Sequence, residues 1–518
     1  MERKREYIVI LTSMVKSHSE SGKTNRSRPS FIGRFLRSEK DVPVIAAVAA
    51  GLYPILFYFT NNYTLINTWA HLGYFVLFFL LVPIVIFLVA NRVFKLPFLR
   101  KWHKYVIPFL NVFIFAFLLE ICLYADIQKK LTALLLVVAA LFAFFLYKHL
   151  KKVIVIQFVL AGIGIFTLIP TVISQLNYSK EWMTQPDEIE QVEFTKKPNI
   201  YFLQPDGYVN FSELRQNRYY QVEQPELEGF LESKGFKNYD NFRSNYASTL
   251  SSNSATFMMK HHHYNKGSSF TEAINARNVI ISDNTVLRVL RANGYKTHFL
   301  AEKPYLLLNR PELGYDYSNF DYDDIAFIGT GLGEPQDIIT PLKQSILIDP
   351  EKPKFFFVEV FNPGHIHGRK ADSRGIQGEK ELWLESVESA NIMVKNLIST
   401  IQELDPNALI VIMADHGGFV GMEYTNQTYK KTEDRDLIYS IFSSQLSISW
   451  PNADAPDFDT KFSSAVNVFR ILFSYLSDDT TYLNELQPDE SYVLIKEDAP
   501  KGTYMYIDDE GKIVFKKH

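Results

Sequence analysis

Long apolar segments in the first third of this chain constrain its fold more than any other feature. Five of them approach the length of about 17–25 residues that crosses a bilayer, at roughly 43–60, 70–90, 105–125, 131–147 and 153–175. Buried core helices are usually shorter and amphipathic, and here only short loops separate the segments. We therefore expect five transmembrane helices over residues 43–175.

Basic residues alternate between the loops that join these segments. The first 42 residues carry ten Lys and Arg, and loops 91–104 and 148–152 are also basic, whereas loop 61–69 has none. Because basic loops remain in the cytoplasm, residues 1–42 are expected to form a cytoplasmic tail. Five crossings then place the chain beyond about residue 176 outside the cytoplasm, in the periplasm or at the cell surface.

Composition excludes some functions. The formal net charge of −3 gives no preference for nucleic acid. Cys122 is the only cysteine, so the chain has neither a disulfide framework nor a thiolate metal site. Glu120 lies within the third predicted span, where a carboxylate is either functional or held by a helix contact.

Beyond a polar linker at 176–197, apolar strands alternate with amphipathic helices. Such alternation predicts a sheet sandwiched between helices; the expected strands are 199–204, 296–300, 354–360 and 409–414. Apolar residues recur at spacings of three and four over 379–404, which predicts a helix. Short strands in 481–518 predict a small antiparallel sheet.

Three short stretches carry candidate chemistry. Asp206 and the Asp415-His416 pair each follow an apolar strand directly, and Thr249 opens an apolar helix. The C-terminal ends of parallel strands are where α/β sheets bind ligands. Two carboxylates, an imidazole and a hydroxyl suit a divalent cation beside an activated nucleophile. Taken singly, Asp206 could merely cap a turn and Thr249 a helix.

The motifs also resemble a known family. The stretches PNIYFLQPDGY, NYxxT, FFFVEVFNPGH and LIVIMADHGG, in that order, resemble the alkaline phosphatase/sulfatase superfamily over roughly 198–495. With the apolar segments, the chain is similar to membrane-bound sulfatase-like transferases such as lipoteichoic acid synthase and related phosphoglycerol or phosphoethanolamine transferases. The resemblance implies an α/β catalytic domain over 198–480, followed by the C-terminal β segment.

The resemblance also implies roles for individual residues. Thr249 would be the nucleophile, and one divalent metal would lie among Asp206, Thr249, Asp415 and His416. Manganese is favoured for that metal, with zinc, magnesium and calcium as alternatives. His365 would face the transferred group, and substrate contacts are expected from His365, His367 and Arg435.

Two departures from the family pattern shape the expected function. No C/S-x-P-x-R motif surrounds Thr249, which disfavours sulfate-ester chemistry, and Glu359-Val360 stand where many relatives have a histidine. We expect a metal-dependent transferase or hydrolase of phosphoester head groups that works through a phosphothreonine. A membrane lipid would be the donor, and a polysaccharide, glycolipid or lipid the acceptor. A sulfatase-like hydrolase and a non-catalytic binding domain are the alternatives, and the oligomeric state stays open.

Overall fold

The computed structural model of the protein describes residues 31–266, 272–329 and 332–518. Of the predicted cytoplasmic tail, residues 1–30 lie outside the described residues. The N-terminal region is helical, with α1 at Phe31–Arg37, α2 at Pro43–Ile66, α3 at Trp69–Val93, α4 at His103–Tyr124, α5 at Lys129–Leu146 and α6 at Leu150–Leu176.

By length and composition, this region contains four apolar helices that could cross a membrane, where the sequence predicts five. The difference lies in Lys129–Leu176, which runs as one apolar helical stretch of 48 residues. A single 3-10 turn at Tyr147–His149 divides that stretch into α5 and α6. Helix α5 packs against α4, whereas α6 packs against α2.

Buried polar side chains join the apolar helices. Asn111 Nδ2 of α4 donates to Gln157 Oε1 of α6 at 2.9 Å and to Ala46 O of α2 at 2.8 Å. Glu120 Oε1 accepts from the Gln128 backbone N–H at 2.9 Å and from Thr132 Oγ1 at 2.8 Å. The structure therefore gives Glu120 a helix contact, which is one of the two roles expected for it.

The remainder of the chain is an α/β domain. Its helices are α7 at Phe211–Gln216, α8 at Glu226–Ser233, α9 at Thr249–Met258, α10 at Ala276–Ile281, α11 at Thr285–Ala292, α12 at Ile339–Leu347, α13 at Gly375–Leu404, α14 at Arg435–Phe442 and α15 at Val468–Ser477. Its strands are β1 at Ile200–Pro205, β2 at Lys237–Asn238, β3 at Lys296–Ala301, β4 at Tyr317–Ser318, β5 at Lys354–Val360, β6 at Leu409–Met413, β7 at Leu446–Ser449, β8 at Ser491–Ile495, β9 at Gly502–Ile507 and β10 at Ile513–Lys517.

A seven-stranded sheet in the order β2-β7-β6-β1-β5-β3-β4 forms the centre of the domain. The four strands predicted from sequence are its contiguous parallel core, β6-β1-β5-β3. Strands β2 and β4 have only two residues each, and β7 reads LSIS, so none of the three carries a strong apolar run.

Alternate side chains of β1 enter different cores on the two faces of the sheet. Phe202 packs in the core that includes Phe257 of α9 and Phe469 of α15. Tyr201 and Leu203 pack in the other core, which includes residues of α13 and α14. The predicted C-terminal sheet is confirmed as the antiparallel order β10-β9-β8. Both faces of the central sheet are therefore covered, which leaves its strand ends as the place for a site.

The α/β domain contacts the ends of the apolar helices. Arg277 donates to the Thr64 carbonyl at 3.3 Å, and Asn309 Nδ2 donates to Asn67 Oδ1 at 3.3 Å. The Phe327 ring stacks on Tyr74 of α3, with centroids 4.6 Å apart. We call this contact region, which includes residues 275–278, the membrane junction.

Candidate active site

Three acidic residues lie at the ends of three adjacent strands. Asp206 follows β1 directly, Asp415 comes two residues after the end of β6, and Glu359 is the penultimate residue of β5. Because β1 is parallel to both β5 and β6, the three carboxyl groups converge at one edge of the sheet. We call Asp206, Glu359 and Asp415 the acidic corner.

A close backbone approach fixes the turn after β1. Gly207 has φ +65°, and a Cβ there would lie 2.2 Å from the Gly364 carbonyl oxygen. Its backbone N–H donates to Asp415 Oδ1 at 3.1 Å, and the Gly364 N–H donates to the Asp206 carbonyl at 2.8 Å. Only glycine fits this position, so the DG pair after the strand has a structural reason.

Thr249 is the first residue of α9 and is 7% exposed. Its Oγ1 lies 3.3 Å from His416 Nε2. Ser248 precedes it as the N-cap residue without a side-chain capping bond. At this end of a ten-residue helix, the free backbone N–H groups and the helix dipole favour negative charge. Thr249 is therefore placed where an alkoxide or an attached phosphoryl group is stabilised.

The imidazole of His416 is oriented by the backbone carbonyl of the next residue, Gly417. Nδ1 donates to the Gly417 carbonyl at 2.9 Å, so the neutral ring keeps its lone pair on Nε2. That nitrogen lies 3.4 Å from Asp415 Oδ2 and 3.7 Å from Asp206 Oδ1. The ring is 1% exposed. A histidine with one nitrogen anchored and the other facing carboxylates is typical of a metal ligand.

The acidic corner raises the pKa values of its own members. Burial, and next the charge of Asp415, raise the pKa of Asp206 to about 8, although His416 acts in the opposite direction. Burial also raises the pKa of Glu359 well above its ordinary value, and the charges of Asp206 and Asp415 raise it further. Three buried carboxyl groups in one place are unfavourable unless they take up protons or a cation.

The unpaired atoms of the site fit a divalent cation. Asp206 Oδ1 and Asp415 Oδ2 are buried without a hydrogen-bond partner. Ligand atoms of Asp206, Asp415 and His416 all lie within 4.8 Å of one another. Two carboxylate oxygens and one imidazole nitrogen form a donor set that suits manganese or zinc. Both oxygens of Glu359 are also without a partner, although Glu359 is not a member of that ligand group.

A cavity of about 150 Å³ opens onto Thr249 and His416. His365 lines it, with its ring centroid 5.8 Å from that of His416. Glu272 and Tyr305 line it as well. Among the described residues, neither Lys nor Arg lines this cavity.

The structure places two other predicted residues away from this cavity. His367 does not line it, and its Nδ1 lies 3.0 Å from both carboxylate oxygens of the buried Glu379. Arg435 lies at the start of α14, where NH1 donates to Glu213 Oε2 at 2.5 Å and the guanidinium stacks on Tyr439. The structure thus brings Asp206, Thr249 and Asp415 close to His416. His365 lines the same cavity as Thr249 and His416, whereas neither His367 nor Arg435 lines it.

Sequence reasoning missed Glu359 as a member of the site. A signal was present, because a lone carboxylate near the end of the otherwise apolar strand KFFFVEV is unusual for a strand buried on both faces. The sequence comparison with the family draws attention instead to the absence of a histidine from this segment. The register Gln204↔Glu359, which puts this residue beside the end of β1, becomes visible only in the folded sheet.

The chain belongs to the Sulfatase family, whose model matches residues 209–473, and thus to the alkaline phosphatase superfamily. A search among curated proteins finds no match. Solved structures that resemble the chain include three bacterial proteins. The zinc complex of the C-terminal periplasmic domain of EcEptC from Escherichia coli is 12% identical, with 55% of this chain and 84% of that chain covered and a TM-score of 0.38.

The lipoteichoic acid synthase LtaP from Listeria monocytogenes is 14% identical, with 63% of this chain and 91% of that chain covered and a TM-score of 0.41. The putative sulfatase YidJ from Bacteroides fragilis is 14% identical, with 61% and 88% covered and a TM-score of 0.39. Family membership follows from the match over residues 209–473.

Proposed function

We propose that the protein is a membrane-anchored, metal-dependent transferase that moves a phosphoryl-linked head group from a lipid to an acceptor hydroxyl through Thr249. The observation that carries this proposal is the position of Thr249 Oγ1, 3.3 Å from His416 Nε2 at the N-terminus of α9. A hydroxyl that served only as a cap would need no carboxylates and imidazole around it.

Asp206, Asp415 and His416, together with Thr249, would hold the cation, with manganese favoured over zinc, magnesium and calcium. When bound, a divalent ion lowers the pKa of a coordinated hydroxyl and polarises a phosphoryl oxygen. The acidic corner supplies the negative charge that retains the ion. The backbone N–H groups at the start of α9 would stabilise a phosphoryl group attached to Thr249.

Transfer would occur in two steps. The Thr249 oxygen forms a bond to phosphorus, and the bond from phosphorus to the lipid alcohol breaks. The proton given up by the threonine hydroxyl balances the one taken up by the lipid alcohol. In the second step an acceptor hydroxyl takes the group and Thr249 regains a proton. Glycolipids, polysaccharides and other lipids are the acceptor classes we consider, and transfer to water would make the protein a hydrolase.

Phosphoryl transfer is favoured over sulfate-ester hydrolysis by the nucleophile itself. Sulfatases of this family oxidise a Cys or Ser within a C/S-x-P-x-R motif, and Thr249 lies outside any such motif. A cavity of about 150 Å³ suits a small transferred group. A non-catalytic binding role is disfavoured because it would not require Thr249 beside His416.

The same proposal includes the membrane topology. A helical stretch of 48 residues is about 72 Å long at about 1.5 Å per residue, more than twice a hydrocarbon core of about 30 Å. We infer that α5 and α6 are separate spans that reverse direction at Tyr147–His149, giving five crossings. With a cytoplasmic N-terminus, the catalytic domain is then extracytoplasmic. A reporter enzyme fused after residue 180 should be active only outside the cytoplasm; cytoplasmic activity would contradict this topology.

The covalent step is tested with the full-length protein in vesicles that contain phosphatidylglycerol and phosphatidylethanolamine and are supplied with Mn²⁺. Mass spectrometry of the quenched protein should find a head-group phosphate on the peptide that carries Thr249. Neither Thr249→Ala protein nor chelator-treated protein should carry it. Diacylglycerol release that is equally fast in the Thr249→Ala variant would exclude the covalent mechanism.

A further inference from the structure

A second, larger cavity adjoins the catalytic one. It has a volume of about 590 Å³ and lies between loop 363–368 and the N-terminal half of α13. His365 lines both cavities, so the two meet at this residue. We call the larger cavity the α13 groove.

Size separates the roles of the two cavities. The catalytic cavity, at about 150 Å³, is smaller than the range of about 300–1,000 Å³ that is usual for ligand pockets. It therefore has room for the transferred group but not for a second substrate beside it. The α13 groove falls within that range and opens beside the same histidine.

The membrane junction and the α13 groove adjoin different parts of the catalytic cavity. Arg277, which donates to Thr64 O of α2, also donates through Nε to the Tyr305 carbonyl at 2.9 Å. Tyr305 and Glu272 line the catalytic cavity, so a residue bonded to Arg277 of the membrane junction forms part of the cavity wall. His365 forms part of the wall of both the α13 groove and the catalytic cavity. One side of the catalytic cavity therefore faces the membrane junction, and another side faces the α13 groove.

A buried carboxylate orients one histidine of the groove. Glu379 is 1% exposed, and it accepts from the His367 backbone N–H and the Arg374 backbone N–H, each at 2.8 Å. It also accepts from His367 Nδ1 at 3.0 Å, which leaves Nε2 of that exposed ring available to a ligand. A histidine fixed in this way can exchange a hydrogen bond with a hydroxyl group.

The other groove residues suit a neutral, hydroxyl-bearing ligand. Ser386, Ser389 and Glu385 line the helix side and can donate to or accept from hydroxyl groups. Pro363 and Trp383 supply apolar surface. Among the described residues neither Lys nor Arg lines the groove, and Glu385 would repel an anionic ligand.

We propose that the α13 groove binds the acceptor, a polyol or saccharide that presents a hydroxyl group at His365, and that Glu379 positions His367 to contact it. This inference rests on the proposed function, because it assigns the second substrate of that reaction. In this arrangement the donor occupies the side of the catalytic cavity near the membrane junction, and the acceptor occupies the side near α13.

The test measures two products from one reaction of the full-length protein in vesicles. Diacylglycerol release reports donor cleavage, and head-group phosphate attached to glycerol or maltotriose, relative to that released by water, reports acceptor use. His367→Gln should lower the ratio of transfer to hydrolysis by at least ten-fold and raise the KM for maltotriose. Ser389→Trp, at an exposed helix position within the groove, should lower the same ratio.

Ser399→Trp is the matched control, because Ser399 is an exposed position on the same helix outside the groove. It should leave the ratio unchanged. An unchanged ratio in both groove variants would overturn the inference, as would donor cleavage by the native protein without transfer to either probe. Absence of donor cleavage in the native protein would instead contradict the proposed function.

Discussion

Two regions of the α/β domain contain buried acidic residues, and they differ in whether those residues have a basic partner. Glu213 of α7 is 1% exposed and binds, through both oxygens, the guanidinium of Arg435 at the start of α14. In the acidic corner, no Lys or Arg among the described residues forms a salt bridge with Asp206, Glu359 or Asp415. Glu213 is therefore neutralised within the protein, whereas the proposed function assigns the charge of the acidic corner to a bound cation.

The linker after α6 also contains an acidic residue that is paired with an arginine. Arg470 is fully buried, and its NH1 donates to Asp187 Oδ2 at 2.6 Å, which fastens the segment after α6 to the catalytic domain. Arg435 is expected from sequence to contact substrate. In the structure, however, Arg435 and Arg470 each neutralise an acid of the protein. Our central claim is that the cation proposed for the acidic corner comes from outside the chain.

Loss of Thr249 should have the largest effect. Thr249→Ala removes the proposed nucleophile and should lower donor turnover by about 10³-fold or more, whereas loss of a mere cap would cost about 1 kcal/mol of stability. Thr249→Ser keeps a hydroxyl and should retain part of the activity. Ser252→Ala is the control, since Ser252 Oγ is buried without a partner and should be dispensable. Near-native turnover of the Thr249→Ala variant would leave the acidic corner without a catalytic role.

Removing the salt bridge between Arg435 and Glu213 should destabilise the protein without changing its metal content. Arg435→Ala leaves the buried Glu213 unpaired, and because Arg435 is itself 40% exposed we expect the free energy of unfolding to fall by about 1–3 kcal/mol. Metal content should not change. Lys512→Ala, which removes an exposed pair with Glu510, is the control and should have no measurable effect. Loss of metal in the Arg435→Ala variant would mean that the two regions are not independent.

The unpaired carboxyl groups of the acidic corner should make the stability of the metal-free protein depend on pH. With its pKa raised to about 8, folded Asp206 keeps a proton that the unfolded chain releases near pH 4, so metal-free stability should fall as pH rises from about 4 to about 8. Glu359 acts in the same direction. Thermal unfolding of the chelator-treated protein across this range measures the slope. Asp206→Asn should reduce it, and a slope of opposite sign would show that the corner is already neutralised.

Substitution of Glu120 should have the smallest effect on stability, because Oε1 of its carboxylate has two hydrogen-bond partners. Glu120→Gln keeps an oxygen that can accept from Gln128 N and Thr132 Oγ1, so the free energy of unfolding should change by less than about 1 kcal/mol. Donor turnover should stay close to that of the native protein. Loss of turnover with unchanged stability would instead assign this intramembrane carboxylate a functional role.

The parallel core of the sheet and the residues at its strand ends could be predicted because each comes from a local pattern. Apolar runs mark β1, β5 and β6, and Asp206 and Asp415-His416 follow two of them in sequence. Glu359 and the α13 groove could not be found in this way. They depend on which strands are neighbours and on a contact between His367 and Glu379, 12 residues apart, that only the folded loop creates.

Metal content of the acidic corner is the most direct test of the central claim. Full-length native protein, purified and supplied with Mn²⁺, should hold one equivalent of metal by elemental analysis after desalting. Asp206→Ala and Asp415→Ala should hold none and remain folded, because each removes a ligand but no large apolar contact. Full metal stoichiometry in either variant, or no metal in the native protein, would contradict the account.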